Sequence, residues 1–402
     1  MRLVNNPNPP LLSIIIATKN RVPYCIKSIE TILSITNHDF ELIVQDNTDN
    51  LELNDYLKAN NSDPRLVYNY IPPPFSSIDN FNAALELSTG EYVCLIGDDD
   101  GICYSIFEVV KWAKLNLIDS VCPNVFIDYY WPDAFGKDSL GYLTVPNFTN
   151  RVWRKKPIDD IQNLINDGVI NYMNFNLPKF YHGLIKKSCF EEIKKKNGYY
   201  IGGLSPDIYT AVSLSNVVNK HIVIDFPLTI AGACKVSTTV AGLNGGHSGN
   251  LKDAPHFRDR GIYLWDKQMP RYYSVQTIWA ESALKAIHEN KIKVNLNTLN
   301  VARILAKSTI DAPNNYRLFF AETLKVVNNK WLFCVKLFTQ IIGLIFKIYC
   351  IKIINKLRNM FFSKMIRLTN INNIDEATKQ SNFIIAKYDL KNILESYNFP
   401  KE

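Results

Sequence analysis

The chain has no Cys-x-x-Cys pair, no apolar run within Met1 to Pro10 and no acidic residue between Trp331 and Leu368. Each absence removes a class of protein. The eight cysteines, at positions 25, 94, 103, 122, 189, 234, 334 and 350, are scattered, and several lie inside apolar runs. They read as small core residues of a reducing compartment, not as a disulfide frame or a zinc site. The start is polar and proline-rich, so no secretion signal is expected. The acid-free stretch holds Lys336, Lys347, Lys352, Lys356, Arg358, Lys364 and Arg367, and these match the net charge of +7. A nucleic-acid binder would spread basic charge over a folded face with aromatics between. Here the charge is confined to the most apolar part of the chain. No nucleic acid is therefore expected as a partner, and anionic lipid headgroups are. A long uncharged run is also missing. Leu337 to Phe346 is ten residues between two lysines, whereas a membrane span needs about 20. Segment 331–368 is expected to lie in the membrane interface, anchored by Trp331 and Tyr349. A buried helix or a dimer interface is the other reading.

What is present is a strand–helix alternation. The 402 residues, 47% of them apolar, leave room for roughly two or three units of about 150 residues. Leu11 to Ala17, Phe40 to Gln45, Leu66 to Tyr70 and Tyr92 to Ile96 read as strands. Between them lie helices over 22–36, near 51–60 and from Ser77, the last closed by Thr89-Gly90. The pattern predicts an α/β fold with a doubly wound sheet. Right-handed crossovers put the C-terminal strand ends on one edge, so loops 18–21, 46–50 and 97–101 should meet around one crevice, where ligands bind. The fourth strand runs into Asp98-Asp99-Asp100-Gly101. Adjacent carboxylates repel, and a hard divalent cation removes the repulsion. Mn²⁺ or Mg²⁺ held by one or two carboxylates usually also holds a substrate diphosphate. A solvated acidic turn bent at Gly101 is the plain alternative.

Four segments carry a resemblance: Ser13 to Arg21, Glu41 to Asn47, Asn80 to Val93, and Gly97 to Asp100. In order and spacing they resemble the nucleotide-binding half of inverting, family-2 type glycosyltransferases of GT-A fold, the kind that builds bacterial O-antigen and capsule polysaccharide. The resemblance implies a Rossmann-like, doubly wound mixed sheet followed by a mainly α-helical C-terminal region. It implies that Thr18, Asn20, Arg21 and Asp46 hold the base and ribose of a nucleotide sugar, with a UDP-sugar the expected donor. Asp46 as the cap of its own turn, Arg21 as a helix cap and Asn80 as a helix-surface amide remain open beside donor binding. Asp98 to Asp100 correspond to the DXD motif. Asp98 and Asp100 are expected to bind Mn²⁺ or Mg²⁺, with Asp98 or Asp99 on the ribose.

Inverting transfer also needs a general base for the acceptor hydroxyl. The resemblance places it at Asp207, in Ser205-Pro206-Asp207, which also reads as an ordinary helix start. Phe180 to Ile185 is expected to be a strand, and His182 either touches substrate or is structural. The run Ala241 to Gly249 reads as a mobile loop, with His247, then His256, as further metal ligands by resemblance. Lys235 with Ser237 to Thr239 would meet the diphosphate. Gln268-Met269-Pro270-Arg271-Tyr272 departs from the QxxRW motif of processive synthases, so addition of a single sugar is expected, with Pro270 starting a helix through Ile287. The aromatics of 125–178 form an acceptor wall or a satellite core.

The expected organisation is a catalytic domain over 1–255 and a helical region over 256–402. In the first, 11–110 is the nucleotide-sugar half, 111–240 the acceptor half with an insertion near 125–178, and 241–255 a flexible loop. The expected activity is metal-dependent, non-processive glycosyl transfer at the cytoplasmic face of the plasma membrane, onto a glycan carried by polyprenyl diphosphate. A sugar-phosphate nucleotidyltransferase is the alternative, though Thr18-Lys19-Asn20-Arg21 lacks the glycine of a triphosphate loop. A non-catalytic membrane-bound assembly protein is a third.

Overall fold

The computed structural model describes residues 9–132, 134–136, 139–237, 247–361 and 365–397. The alternation predicted for the first 110 residues is present: β1 (Leu12–Thr18), α1 (Val22–Leu33), β2 (Phe40–Asp46), α2 (Glu52–Asn60), β3 (Leu66–Tyr70), α3 (Ser77–Leu87) and β4 (Tyr92–Ile96). Continuous apolar runs make β1, β2 and β4 buried on both faces, as a parallel sheet requires. The period of two divides them. Leu12, Ile14 and Ile16 meet Cys25, Ile29 and Ile32 of α1 on one face. Ile15, Ile43 and Leu95 meet Ile78, Ala84 and Leu85 of α3 on the other. Ser76 caps α3 by accepting from the Asp79 backbone N–H.

The next elements are β5 (Gly101–Ile102), α4 (Ser105–Leu115), β6 (Ser120–Pro123), β7 (Ile127–Tyr130), β8 (Tyr142–Val145), β9 (Val152–Lys155), α5 (Ile161–Asn166) and β10 (Leu184–Lys186). Then come α6 (Lys187–Asn197), α7 (Pro206–Ser215), β11 (His221–Ile224), β12 (Thr229–Ala233), β13 (Ser248–Asn250), β14 (Tyr272–Ser274) and α8 (Val275–Asn290). The main sheet has eight strands in the order β3-β2-β1-β4-β10-β6-β11-β9. Its first four strands are parallel, and β10 is antiparallel to both neighbours. This is the expected doubly wound, mixed α/β sheet.

Several expectations change. Pro270 does not begin a helix: Tyr272–Ser274 pairs with β13, and α8 starts after Ser274, whose side chain forms a capping box with Thr277. The strand at 180–185 shrinks to Leu184–Lys186, with Tyr181 bridging to Leu95. Residues 248–255, expected to be mobile, form β13 and two short helical turns; 238–246 lie outside the described residues. The aromatics near 130 are core: Tyr129 and Trp131 are buried, and Tyr130 stacks on Tyr142.

After α9 (Val301–Asp311), α10 (Tyr316–Thr323) and α11 (Lys330–Phe361), the chain returns to the first core. β15 (Ile366–Thr369) pairs with β8 in a second sheet, β15-β8-β7-β12-β5. Ile371, Ile374, Ala377 and Ile385, leading into and along α12 (Ile374–Ile385), join the core of Leu12 and Ile14, as does Leu394 of α13 (Leu390–Glu395). The C-terminal stretch is mainly helical, as expected, and it packs back on the sheets. Its last third closes the back of the catalytic fold.

The second sheet touches the aspartate loop at Gly232. A Cβ there would lie 1.8 Å from the Asp99 carbonyl oxygen. Gly232→Ala is expected to cost about 3 kcal/mol of stability through this overlap. A urea-unfolding midpoint equal to wild type would show that the loop yields freely.

Candidate active site

The three loops converge as predicted. Thr18 Oγ1 donates to Asp98 Oδ2 (2.7 Å), Arg21 Nη1 to Asp98 Oδ1 (3.0 Å), and Asn20 Nδ2 to Asp49 Oδ2 (2.8 Å). Lys19 Nζ reaches Asn47 Oδ1 at 3.1 Å. Behind the loop, Ser28 Oγ of α1 donates to the backbone carbonyls of Asp98 and Asp100.

The three aspartates differ in direction. Asp98 lines a cavity of about 650 Å³. Asp99 Oδ2 accepts from the Cys234 backbone N–H (2.9 Å), and its carbonyl accepts from Trp131 Nε1 (2.9 Å). Asp100 points into the protein. Its carboxylate accepts from the Gly97 N–H (2.5 Å), the Gly232 N–H (2.6 Å) and the Tyr181 hydroxyl (2.8 Å). The expected pairing of Asp98 with Asp100 around a metal is therefore not how the loop is arranged, because local donors fill Asp100. All three carboxyls are pushed up to about 6, chiefly by burial. For Asp98, Arg21 opposes burial and Asp99 adds to it; for Asp99, Asp100 adds to it. Burial also works against the Arg21 charge, but Asp98 and Asp99 outweigh it and hold the guanidinium above its ordinary value.

Asp207 faces the same cavity from the first turn of α7. Ser205 makes no side-chain cap, and the Asp207 carboxyl has no hydrogen-bond or ion-pair partner among the described residues. Burial alone pushes it up to about 6. An unpaired carboxyl titrating near neutrality, open to a cavity, suits a general base and serves no evident cap. The cavity is completed by Lys19, Arg21, Tyr181, His247, His256, Tyr273 and Trp279. His247 Nδ1 is 2.6 Å from the Tyr273 hydroxyl. His256 is held down at about 4 by burial, hence neutral.

A second cavity of about 160 Å³ adjoins the first through Ala17, Lys19, Ser77 and Phe81. Thr18, Asn47 and Asn80 line it. Asn80 Nδ2 donates to the Thr18 carbonyl at 3.3 Å, while its buried Oδ1 has no partner. Asp46 is absent from both linings. It is fully buried, accepting from the Thr48 N–H (2.8 Å) and the Tyr68 hydroxyl (2.8 Å), which is the turn-cap arrangement. Asn20 lies at the surface with φ 59° and pins loop 46–50, away from either cavity. His182 is buried and pushed down to about 3, so its 3.5 Å approach to Asp100 is not an ion pair. Lys235 is exposed outside both linings, and Thr238 and Thr239 lie outside the described residues. Sequence reasoning missed Ser28, Tyr181, Trp131, Cys234 and Gly232. Only Tyr181 had a signal, its place beside His182.

Residues 13–167 match the model of the family described as Glycosyl transferase family 2. The match spans less than half of the chain, and over it the sequence is similar to that family. The family match covers β1 through α5 and includes Thr18, Arg21 and all three aspartates. A curated relative, the putative colanic acid biosynthesis glycosyl transferase WcaA of Escherichia coli K12, is 35% identical over 95 residues, 23% of this chain. The chain spans only about a third (34%) of that relative's length. Among solved structures, Staphylococcus aureus TarS 1–349 in complex with UDP-GlcNAc aligns with TM-score 0.42 and 13% identity, over 77% of this chain and 90% of that one. The mannosyltransferase PcManGT of Pyrobaculum calidifontis, with GDP-Man and Mn²⁺, aligns with TM-score 0.37 and 14% identity, over 83% and 84%. At such identity the likeness is one of overall arrangement alone.

The raised carboxyls set a pH dependence. A carboxyl whose folded value exceeds its unfolded one binds its proton more tightly when folded. Its contribution is complete below about 4 and lost as pH rises through about 6. The ligand-free protein is expected to lose part of its stability between pH 4 and pH 6.5. A melting temperature that instead climbs steadily across that window, with no inflection, would contradict the buried-carboxyl arrangement.

Proposed function

We propose that this protein is an inverting, single-addition glycosyltransferase. It moves a sugar from a nucleoside-diphosphate sugar, a UDP-sugar first among the candidates, to a glycan acceptor carried on polyprenyl diphosphate in bacterial surface-polysaccharide synthesis. The observation that carries the reading is one cavity bounded by the Arg21–Asp98 pair on one side and the unpaired Asp207 on the other. Asp207 takes the proton of the acceptor hydroxyl as that oxygen bonds to the anomeric carbon. The bond from the anomeric carbon to the diphosphate breaks, and the electron pair leaves with the nucleotide. Arg21 stands where it meets the charge that develops there. The smaller cavity suits the nucleoside: the free Oδ1 of Asn80 is an acceptor for an imide N–H such as that of uracil.

A divalent cation, Mn²⁺ or Mg²⁺, fits the chemistry of the loop. Of the three buried carboxyls, Asp98 and Asp99 share a single guanidinium and Asp100 has only neutral donors, leaving excess negative charge. Asp98 would hold the ion, with Asp99 beside it and His247 on the same cavity. No group of three protein ligands exists among the described residues, so substrate phosphate would complete the shell. Bound there, it would neutralise the departing diphosphate. The basic, apolar segment 331–368 supports a position at the inner face of the plasma membrane, where a lipid-linked acceptor would reside.

Calorimetric titration of UDP, GDP, dTDP and CMP, each with and without Mn²⁺, is expected to give one tight, metal-dependent nucleotide that Asp98→Ala abolishes. Binding of none of them by folded protein would remove the transferase reading. Asp207→Asn is expected to lower kcat about a hundred- to ten-thousandfold while sparing nucleotide affinity. Full turnover in that variant would mean the base lies elsewhere. In the wild type, turnover should fall as pH drops below about 6, as Asp207 takes up its proton.

A further inference from the structure

Helix α11 carries two apolar stripes. The inner one packs: Phe333 and Leu344 are buried, and Leu337 and Ile341 lie half-buried against the core. Arg303 Nη1 of α9 donates to Gln340 Oε1 (2.8 Å) on the same side. The outer stripe does not pack. Trp331, Val335, Phe338, Ile342, Ile345 and Tyr349 recur at alternating spacings of four and three, so they share one face of the helix. All six are exposed, Trp331 at 77% and Phe338 at 65%.

We propose that this outer stripe docks α11 in the plane of an anionic membrane surface. The proposal deepens the membrane contact suggested above and does not depend on the transfer chemistry. The flanking charge names the occupant. Helix positions 330–361 contain no acidic residue, and Lys336, Lys347, Lys352 and Lys356 are all exposed. At 100° per residue the exposed Leu332, Phe346 and Ile353 widen the apolar face on one side of the stripe, with Lys336 and Lys347 beyond them, and Lys352 borders the stripe on the other side. That is an apolar face bordered by basic residues, as an interfacial helix requires. A second copy of the chain would bring like charges together along the seam.

The geometry also selects lying over crossing. Lys330–Ile354 is long and apolar enough to cross a membrane by length and composition. Yet the inner stripe ties the first half of α11 to the protein body, and Ile366 is paired with Val145. The five steps from Phe361 to Ile366 reach at most about 18 Å, against a hydrocarbon core of about 30 Å. With both ends held on one body, the helix runs along the bilayer surface.

The test mixes full-length protein with vesicles of phosphatidylcholine alone, or with added phosphatidylglycerol. Co-sedimentation reads binding, and nucleotide affinity is read on the same samples. Binding to the anionic vesicles, weakened by salt, is expected. Phe338→Glu with Ile345→Glu should lower it at least about tenfold. Lys336→Gln with Lys347→Gln should lower it roughly thirtyfold on anionic vesicles and little on neutral ones. Melting temperature and nucleotide affinity should stay unchanged in both. Wild-type binding by the glutamate variant would move the contact off this stripe while leaving a membrane role standing. No vesicle binding by the wild type would overturn both, whatever the nucleotide titration gives. A vesicle-free dimer that the glutamates abolish would assign the stripe to a second copy instead.

Discussion

Three consecutive aspartates buried at the end of one strand are the constraint on which this molecule depends. A carboxylate taken from water costs several kcal/mol unless it is paired or hydrogen-bonded. Partners therefore arrive from across the chain: Thr18 and Arg21 after β1, Tyr181 before β10, Gly232 and Cys234 along and just past β12, and Trp131 after β7. The second sheet brings β12 and β7 to the loop, and Gly232 is glycine because the Asp99 carbonyl occupies the space of a side chain. Satisfying Asp100 inward leaves Asp98 to face the cavity. One carboxylate of the three is thus held toward the cavity by Thr18 and Arg21, while another is spent on structure.

The first half of the fold was legible because its signals are local. Continuous apolar runs announce β1, β2 and β4, and α3 opens at Ser77 as expected; its C-cap is Ser88, and Gly90 is instead a close approach to Ser13 of β1. The convergence of three loops followed from handedness alone. The direction of each aspartate was not legible, since it is decided by donors at positions 97, 181, 232 and 234 that no spacing links to 98–100. Asp46 has the same history: its fate rests on Tyr68, one strand away. That the Asp207 carboxyl has no partner among the described residues, which weighs against a cap, is likewise a tertiary fact.

The C-terminal return was hidden for another reason. Ile366-Arg367-Leu368-Thr369 is a four-residue strand whose partner, β8, lies far earlier in the chain. Neither is long enough to show a period. Their pairing depends on the preceding helix running back across the body, a tertiary fact. Asp46 and Asn20 brace the nucleotide loop without lining either cavity, so a motif residue can serve its site by holding the wall.

Ile371, Ile374 and Thr378 form the rear wall of the aspartate loop: Tyr129 donates to the Ile371 carbonyl, and Thr378 and Ile374 crowd Gly101. These residues follow α11 in the chain. On the ribosome, the apolar helix therefore emerges while the wall behind the carboxylates is still unmade. The rear wall of the candidate site is therefore made only after the segment proposed to find the membrane.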